Sequence, residues 1–257
     1  MVKPKKKYGQ NFLINEKICE KIVSYENINN NNILEIGPGN FALTKKILKR
    51  NPKKFIALDI DKDVINQNKD VDLKKHLLNF DALKFNENNF FDNENYSIIS
   101  NLPFNISAKL LLKWCKNQNS FGSINSMTLM FQKELADRIL ATEDSKNYGR
   151  ISIVVGAFFK IEKKILVKKD EFFPKPKVDA LVLKFYPLKK NKIKKNNFKK
   201  LEQITSIFFN ERRKKNEKKF RKIFSEQLIK KHNFERYFHK RPENIERETF
   251  YEMTKIN

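Results

Sequence analysis

The sequence predicts an α/β fold in which a mainly parallel sheet is followed by a small all-helical C-terminal domain. Short apolar runs bounded by polar turns alternate with amphipathic segments over residues 1–187, which is typical of βαβ units. A pair of glycines, Gly37 and Gly39, lies between the first clear strand and a helix. Residues 188–257 contain no glycine, and their apolar residues recur at helical spacing. These patterns divide the chain into two domains, 1–187 and 188–257.

Each element is predicted from its own pattern of apolar residues. The predicted strands are Ile33–Ile36, Phe55–Leu58, Ser97–Ile99, Met127–Phe131, Ile151–Phe159 and Leu181–Phe185. Amphipathic spacing predicts helices at Glu16–Tyr25, Ala42–Leu48 and Ala108–Trp114, and further helices at Phe198–Phe208 and Phe220–Leu228. The Asn-rich segments 27–32 and 86–95 are predicted to be solvated loops.

The charge balance indicates a polyanionic partner. Among 257 residues, 54 Lys and Arg stand against 30 Asp and Glu, which gives a formal net charge of +24. Such a charge raises the local concentration of polyanions, so nucleic acid is the first partner to consider. The alternative is that the abundance of Lys and Asn reflects a biased base composition of the genome.

Composition also excludes several classes of protein. The two cysteines form no CxxC pair, and three scattered histidines cannot complete a zinc site with them, so we expect neither a metal nor a disulfide. No uncharged apolar run reaches the roughly 18 residues that a membrane span needs. The Lys-rich start is not followed by the apolar core of a signal peptide. We therefore expect a soluble, cytoplasmic protein that does not bind membranes.

Positive charge is densest in the C-terminal domain. Residues 188–257 contain 22 Lys and Arg and 9 Asp and Glu, a net charge of +13 in 70 residues. Basic runs on helices indicate phosphate contacts, and a solvated helix face is the common alternative. The residues predicted to bind RNA are Arg212, Arg213, Lys214, Lys215, Lys218, Lys219, Arg221 and Lys222.

The glycine pair predicts a site for a nucleoside-type cofactor. Glycines at the carboxyl end of a strand let the backbone approach such a cofactor closely. Asp59 ends the next strand, where its carboxylate can accept hydrogen bonds from both ribose hydroxyls, and Asp81 could bind the exocyclic amine of an adenine. These features fit NAD and S-adenosylmethionine almost equally, and a plain tight turn is the other interpretation.

The loop after Ser97–Ile99 favours S-adenosylmethionine and amino-group methylation. It contains Asn101, Leu102, Pro103 and Phe104. If the Asn101 side-chain oxygen and the Leu102 carbonyl accept the two N–H bonds of an adenine amino group, the nitrogen lone pair can turn toward a methyl donor. Pro103 stiffens the turn, and Phe104 can stack on the base. The alternative is an Asn-Pro turn whose Phe belongs to the core.

Taken in order, the motifs of this chain resemble those of the KsgA/Dim-type small-subunit ribosomal RNA adenine N6-dimethyltransferases. The resemblance runs from the N-terminus to about residue 215, with a weaker echo at Phe209–Lys214. The motifs that carry it are Lys7-Tyr8-Gly9-Gln10-Asn11-Phe12-Leu13, Glu35-Ile36-Gly37-Pro38-Gly39, Asn101-Leu102-Pro103-Phe104-Asn105-Ile106-Ser107, Gln132-Lys133-Glu134, Tyr148-Gly149-Arg150 and Phe172-Phe173-Pro174-Lys175-Pro176-Lys177-Val178-Asp179.

The resemblance implies a Rossmann-like class I methyltransferase sheet that uses S-adenosylmethionine. It implies dimethylation of two adjacent adenines in the 3′-terminal hairpin of 16S ribosomal RNA, on an assembling 30S subunit. It also implies that Asn11 and Leu13 close over the cofactor, with Gly37 at its amino-acid part, Asp59 at the ribose and Asp81 at the adenine. Asn101 would lie between cofactor and target.

The chain departs from the family at positions close to the predicted site. Phe41 stands where a small residue is usual, Asp59 replaces the commoner glutamate, and Phe104 replaces the commoner tyrosine. Asp59 keeps a carboxylate with a shorter reach, and Phe104 keeps a ring that can stack. One of Phe172 and Phe173 is expected to form the opposite wall of the target-adenine pocket; the alternative is a proline-rich loop that enters a strand.

Three other functions remain open from the sequence, and one of them, a DNA adenine methyltransferase, fits the loop alone but lacks a visible target-recognition domain. An Erm-type enzyme would methylate large-subunit ribosomal RNA on a similar scaffold, but the Gly-Pro-Gly and Asn-Leu-Pro tripeptides of this chain favour the small-subunit class. A non-catalytic nucleic-acid-binding factor could use the same scaffold, but the intact Asn101, Asp59 and Asp81 argue against it. We expect a monomeric enzyme.

Overall fold

The computed structural model of the protein describes residues 4–66, 68 and 70–256. Its strands are β1 Phe12–Leu13, β2 Asn32–Ile36, β3 Lys54–Asp59, β4 Leu77–Asn79, β5 Tyr96–Asn101, β6 Ile124–Gln132, β7 Phe159–Val167, β8 Phe172–Phe173 and β9 Ala180–Pro187. Its α-helices are α1 Glu16–Ser24, α2 Ala42–Leu48, α3 Lys62–Asn66, α4 Val71–Lys74, α5 Glu87–Phe90, α6 Ser107–Ser120, α7 Lys133–Leu140, α8 Arg150–Gly156, α9 Phe198–Asn210, α10 Glu217–Ile223, α11 Glu226–Lys231 and α12 Arg247–Met253. Short 3-10 helices occupy Lys6–Tyr8, Lys169–Glu171, Lys195–Asn197, Phe234–Tyr237 and Pro242–Asn244.

The main sheet has seven strands in the order β4-β3-β2-β5-β6-β9-β7. The pairs β3–β4, β2–β3, β2–β5 and β5–β6 are parallel, whereas β6 and β9 are antiparallel. The central strands are buried along most of their length because helices cover both faces of a parallel sheet. This arrangement confirms the predicted α/β class.

The strand order determines where a ligand can bind. The chain enters the main sheet at β2 and adds β3 and then β4 on one side of it. It then crosses back and adds β5 on the other side of β2. Helices on the two sides therefore diverge between β2 and β5, and a crevice opens beyond the carboxyl ends of these strands. Gly37 and Asp81 lie just after β2 and β4, and Asp59 and Asn101 are the last residues of β3 and β5.

A second, two-stranded sheet joins distant parts of the chain. In β1 and β8, Phe12 lies opposite Phe173 and Leu13 opposite Phe172. The Ile14 amide also donates to the Glu171 carbonyl at 2.9 Å. The N-terminal segment is therefore hydrogen-bonded to the Phe172–Phe173 segment, about 160 residues later in the sequence.

The predicted strand Ile151–Phe159 was wrong, because residues 150–156 form the helix α8. The run is rich in β-branched residues and buried, so its periodicity cannot distinguish a strand from a buried helix. Local bonds favour the helix: the Gly149 amide donates to Ser152 Oγ at 3.1 Å, and this hydroxyl donates to the Gly149 carbonyl at 2.8 Å. β7 begins only at Phe159.

The Asn-rich segment 86–95, predicted to be a solvated loop, is partly helical and partly buried. Asn86 begins α5, and its side-chain oxygen accepts from the Asn89 amide at 3.1 Å. Glu87 and Asn88 are buried because polar side chains of α6 and its surroundings supply their hydrogen bonds. Segment 27–32 also differs at its end, where Asn32 opens the buried strand β2.

The chain divides into two compact units. The first comprises the described residues up to 136 together with 160–187, and the second comprises 137–159 together with 188–256. The domains predicted from the sequence place residues 137–159 with the first unit, so the structure differs there. Within the second unit, Tyr148 donates to the Ile245 carbonyl at 3.0 Å and Tyr251 to the Ile153 carbonyl at 2.8 Å. These long-range bonds associate the segment with the C-terminal helices.

The second unit is helical, as predicted from residue 198 onward. Its core is aromatic: the Phe208 ring lies 5.0 Å from that of Phe220 and 5.4 Å from that of Phe250, both edge-on. Such edge-to-face pairs stabilise a core beyond the area that they bury. Among the residues that the structure describes, no helix combines the length and the apolar character that a membrane crossing requires.

Candidate cofactor and base site

One pocket at the carboxyl ends of β2–β5 brings together the residues predicted to bind the cofactor. The lining of this pocket includes Asn11, Leu13, Gly37, Asp59, Asp81 and Asn101. Four of them lie at or just beyond the carboxyl ends of parallel strands, which meet at one edge of the sheet. Asn11 and Leu13 instead come from the N-terminal segment.

The glycine turn is the place where three segments of the pocket meet. Gly37 has φ +65°, and a Cβ atom there would lie 3.1 Å from Pro103 Cγ. Gly39 has φ +52°, and its Cβ would lie 2.6 Å from the Phe12 ring. A positive φ favours glycine, and the close contacts leave little room for any side chain. The turn therefore packs directly against the Asn101–Ser107 loop and against the N-terminal segment.

The N-terminal segment is attached to the β3 side of the pocket by charge. Lys5 Nζ lies 2.6 Å from carboxylate oxygens of both Asp61 and Asp63. The Gln10 side chain donates to Asp61 at 3.3 Å and accepts from the Lys5 amide at 2.8 Å. Together with the pairing of β1 and β8, these bonds hold residues 5–13 along the pocket.

Asn101 has a buried oxygen without a partner. Its side-chain nitrogen donates to the Asn11 carbonyl at 2.9 Å, and this contact determines the orientation of the amide because only the nitrogen can donate. Asn101 Oδ1 is buried and accepts no hydrogen bond within the described part of the chain. Buried acceptors are normally paired, so an unpaired one at a pocket wall indicates a missing N–H or O–H donor.

Asp59 is a buried carboxylate at the floor of the same pocket. Its Oδ1 accepts from the Asp61 amide at 2.8 Å. Burial raises the pKa of Asp59 to about 6, an effect to which the nearby Asp61 charge adds. Asp59 is therefore mostly ionised at pH 7 and can accept further hydrogen bonds there.

Glu35 also lines the pocket and was not predicted as a site residue. Thr44 Oγ1 donates to its carboxylate at 2.7 Å, and complete burial raises the pKa of Glu35 to about 8. Two ionised carboxylates in one pocket would repel each other, so burial leaves Asp59 as the charged group near pH 7. The position of Glu35 at the start of the glycine motif was the sequence signal that could have identified it.

Two exposed apolar residues, Ile60 and Phe80, flank the part of the pocket that contains Asp81. Apolar surfaces of this kind are suited to a planar ring. Asp81 Oδ1 accepts from the Leu83 amide at 2.9 Å, which holds the carboxylate in a local turn. The sequence analysis missed both residues, although each is adjacent to a predicted acid.

The structure distinguishes the three predicted stacking residues. Phe172 is 3% exposed and belongs to the core, so it is not available to stack on a base. Phe173, its neighbour in β8, points to the opposite side of the strand and is 51% exposed. Phe104 is partly buried against the core cluster and does not line the cofactor pocket. Phe173 and Phe104 therefore remain the candidates for base stacking.

Phe41, the unusual residue of the glycine turn, does not enter the pocket. It has φ +65° and stands at the N-terminus of α2. Its side chain packs against Val64 and Leu73 in a small apolar cluster. The departure from a small residue is therefore accommodated on the far side of the turn.

The eight basic residues predicted to bind RNA differ in their surroundings. Lys219 is 5% exposed, and its ammonium donates to the carbonyls of Glu211 and Lys214, both at 3.0 Å. It therefore closes the turn before α10 and is not available to RNA, which corrects its predicted role. Arg212 lies 3.5 Å from Glu243 and is half-buried. The residues that are exposed are Arg213, Lys214, Lys215, Lys218, Arg221 and Lys222.

Sequence comparison gives one consistent result. The family described as ribosomal RNA adenine dimethylase matches residues 1–256. A Pelagibacter ubique protein named ribosomal RNA small subunit methyltransferase A is 40% identical over 257 residues, covering 99% of this chain and 97% of that protein. A protein of the same name from Mycoplasmopsis pulmonis is 38% identical, covering 98% of both chains.

Solved structures agree with this result. A dimethyladenosine transferase from Plasmodium falciparum has a TM-score of 0.74 and 26% identity, covering 94% of this chain and 95% of that one. The 23S rRNA methyltransferase ErmE has a TM-score of 0.64 and 18% identity, covering 95% of this chain and 100% of that one. The similarity to ErmE shows a shared fold.

Proposed function

The chain belongs to the ribosomal RNA adenine dimethylase family, and from this we propose that it dimethylates adenine N6 in small-subunit ribosomal RNA with S-adenosylmethionine as the methyl donor. The substrate is the pair of adjacent adenines in the 3′-terminal hairpin of 16S ribosomal RNA. The enzyme acts as a cytoplasmic monomer on the assembling 30S subunit. The Erm-type alternative is not favoured, because full-length relatives at 34–40% identity are named for the small subunit whereas ErmE is 18% identical.

The unpaired Asn101 oxygen is the observation that carries this proposal. An adenine amino group has two N–H bonds, and Asn101 Oδ1 would accept one of them. The carbonyl of the next residue, Leu102, would accept the other. These two hydrogen bonds would point both N–H groups toward the acceptors, so that the nitrogen lone pair faces the methyl donor. An oxygen that lacks a donor in the free protein becomes paired when the target base binds.

The residues of the pocket fit S-adenosylmethionine. Asp59 would accept the ribose hydroxyls, Asp81 would accept the amine of the cofactor's adenine, and Ile60 and Phe80 would contact its ring. Gly37 lines the pocket where the amino-acid part would lie, and its lack of a Cβ lets the turn pack against Pro103 there. When bound, the cofactor supplies a methyl group that its sulfonium has already activated.

Alignment is the main contribution of the protein to the reaction. The loop 101–107 contains no titratable side chain, so its part is to hold the acceptor nitrogen in place, and the proton that the nitrogen loses on methylation passes to solvent. Correct placement of two reactants supplies a large share of a rate enhancement. The contacts of Gly37 with Pro103 and of Asn101 with Asn11 give the loop the rigidity that alignment requires.

The target base would be held between aromatic rings. Phe173 is exposed beside the N-terminal segment, and Phe104 follows Asn101 in the loop. Stacking on an aromatic side chain contributes about 1–3 kcal/mol per base in nucleic-acid sites. A base must leave its helix to reach such a pocket, and stacking offsets part of the cost of unpairing it.

The experiment that tests the function compares two ribosomal substrates. The protein is incubated with tritiated S-adenosylmethionine and with 30S or 50S material from cells that lack the modification. Label is expected in 16S ribosomal RNA as N6,N6-dimethyladenosine. Label confined to the 50S material would contradict the proposal in favour of an Erm-type activity. Failure to bind S-adenosylhomocysteine in calorimetry would favour a non-catalytic RNA-binding factor.

Cofactor affinity is expected to fall at acid pH because Asp59 must be ionised to accept two ribose hydroxyls. Its pKa of about 6 in the free protein means that the carboxylate is present above pH 6 and is lost as pH decreases through that value. Below pH 6 the affinity for S-adenosylhomocysteine should decrease toward about tenfold per pH unit. Calorimetric titrations between pH 5 and 8 measure this.

The matched control is Asp59→Asn, which preserves the size of the side chain but cannot ionise. Its affinity should be lower than that of the wild type at pH 7.5 and nearly constant between pH 5 and 7. A wild-type affinity that does not change over this pH range would contradict the role given to Asp59.

RNA binding through the second unit is proposed for its exposed basic residues. Arg213, Lys215 and Lys218 are exposed and carry no ion pair in the described part of the chain. Lys214 and Arg221 are exposed but form ion pairs with Glu211 and Glu217. Exposed pairs of this kind contribute little to stability, so phosphates can compete for these cations as well.

The double substitution Lys215→Ala and Lys218→Ala is expected to weaken RNA binding and flatten its dependence on salt. Each lost phosphate contact reduces the slope of log K against log salt by about 0.7–0.9. Fluorescence anisotropy with a 16S hairpin at several salt concentrations measures this slope. Lys219→Met is the control: it should lower stability, because two carbonyls lose their donor, and leave the slope unchanged. An equal effect of both changes on the slope would contradict the assignment.

A further inference from the structure

Lys113, on α6, uses all three of its N–H donors within the protein. Its Nζ donates to the Ala82 carbonyl at 2.8 Å, to the Phe85 carbonyl at 2.6 Å and to Glu87 Oε1 at 2.8 Å. An ammonium group has three donors, so the set is complete. This geometry connects α6 to the segment that follows β4.

The two backbone acceptors belong to a segment that forms one wall of the pocket. Asp81, Ala82 and Leu83 line the pocket directly. The Phe85 ring contacts the Phe80 ring edge-on at a centroid distance of 5.9 Å, and Phe80 lines the pocket as well. Lys113 therefore bonds directly to Ala82, and it reaches Phe80 through Phe85, whose carbonyl it bonds and whose ring contacts that of Phe80.

The segment is anchored to β3 at its start, where the Phe80 amide donates to the Asp59 carbonyl at 3.1 Å. The Leu83 amide donates to Asp81 Oδ1 and the Lys84 amide to the Asp81 carbonyl, both at 2.9 Å. These two bonds close a turn beyond that anchor but connect it to no other element. The bonds from Lys113 supply an attachment to α6, so they can determine where the Asp81 carboxylate lies.

Glu87 holds Lys113 in place from the other side. Its buried carboxylate accepts from Lys113, from Trp114 Nε1 at 2.9 Å and from Asn117 Nδ2 at 3.1 Å, all on α6. A buried ion pair whose hydrogen bonds are all made is rigid, and removal of one partner leaves an uncompensated charge. Glu87 and Lys113 together form a cross-link between α6 and the end of the pocket wall.

We propose that Lys113 is a positioning residue that sets the adenine subsite of the cofactor pocket, acting through the Ala82 and Phe85 carbonyls. This inference rests on the proposed function, since it assigns a base to the Asp81 end of the pocket. Lys113 does not touch the cofactor. It places Asp81 to accept the exocyclic amine of the cofactor's adenine and places Phe80 against the ring.

The test compares two cofactor products that differ only at the C6 and N1 edge of the base. S-adenosylhomocysteine carries the exocyclic amine, whereas S-inosylhomocysteine has an oxygen there. The wild type should prefer the adenosyl compound in calorimetry. The Lys113→Met protein should bind the adenosyl compound about tenfold more weakly than the wild type does. It should bind the inosyl compound almost as tightly as before, so its preference for the adenosyl compound should be lost. Its KM for S-adenosylmethionine should rise while kcat at saturating cofactor is unchanged.

Two further variants separate positioning from a general loss of stability. Lys116→Met removes an exposed lysine from the same helix and should behave as the wild type does. Lys113→Arg keeps the charge and several donors and should restore part of the preference. A Lys113→Met protein that retains the full preference for the adenosyl compound would overturn the inference.

If Lys113→Met fails to fold, the wild type supplies the measurement. Trp114 is the only tryptophan of the chain, and its indole is bonded to Glu87. Adenosine should change Trp114 emission and homocysteine should not, because only the nucleoside reaches the Asp81 segment. Unchanged emission with adenosine would overturn the inference. A wild type that binds no S-adenosylhomocysteine at all would instead contradict the proposed function.

Discussion

Replacement of Asn101 with alanine is expected to lower kcat for methyl transfer by about 10²–10³-fold while RNA affinity stays at the wild-type value. The substitution removes an acceptor that is prepared for the reacting amino group, and loss of one preorganised hydrogen-bonding group in an active site has effects of this size. It also removes the donor to the Asn11 carbonyl. Transfer of tritiated methyl groups to unmethylated 30S particles, together with RNA anisotropy, measures both quantities.

Two variants identify which function of Asn101 is lost. Asn101→Asp keeps an oxygen that can accept from adenine but turns a second oxygen toward the Asn11 carbonyl, so it should retain little activity. Asn29→Ala changes an exposed asparagine in a distant loop and should leave methylation unchanged. Full activity of Asn101→Ala would exclude Asn101 from the reaction.

Gly39→Ala is expected to weaken cofactor binding by more than tenfold and to destabilise the first unit. A left-handed conformation costs a residue with a Cβ about 1–2 kcal/mol. The new methyl group would also lie 2.6 Å from the Phe12 ring, and overpacking of this kind costs about 1–3 kcal/mol. Since Phe12 belongs to the segment that holds Asn11 and Leu13 along the pocket, its displacement should also open the cofactor site. Calorimetry with S-adenosylhomocysteine and thermal unfolding measure the two effects.

The chain supplies a close control for this substitution. Gly122 has φ +70°, but nothing lies within 4 Å of the position of a Cβ atom. Gly122→Ala should therefore show only the conformational cost, with normal cofactor affinity. Phe12→Leu combined with Gly39→Ala should be less destabilised than the sum of the single changes, because the smaller side chain relieves the overlap. Equal effects of Gly39→Ala and Gly122→Ala would contradict the packing argument.

The site residues at the edge of the sheet could be predicted from the sequence because each is identified by its place at the end of a strand. Gly37, Asp59, Asp81 and Asn101 each lie at or just beyond the end of a strand, and parallel strands present their carboxyl ends at one edge. Four separate sequence positions could therefore be assigned to one pocket. The failure at residues 151–159 has the opposite origin: a buried, β-branched run shows no period, and its capping bonds and tertiary contacts chose the helix.

The neighbours Phe172 and Phe173 show what a motif alone does not determine. Both aromatic rings fitted a base-stacking role in sequence. Successive side chains of a strand point to opposite faces, so the two rings could not both face the same base. The pairing of β8 with β1 determines which ring faces the core, and that ring is Phe172. Lys219 gives a similar lesson, since a member of a basic run became a donor to backbone carbonyls.

By itself, the sequence predicted the α/β class from its periodicity. It predicted the methyl donor and the kind of reaction from the Asn101–Phe104 loop and from motifs that resemble those of a known family, and each of these signals lies within a few residues. Only the tertiary structure decided how the N-terminal segment is held, that the Asn101 oxygen is left unpaired, and that Lys113 and Glu87 support the pocket wall from outside. These features depend on bonds between residues that are 26 to 161 positions apart, and no local pattern encodes such distances.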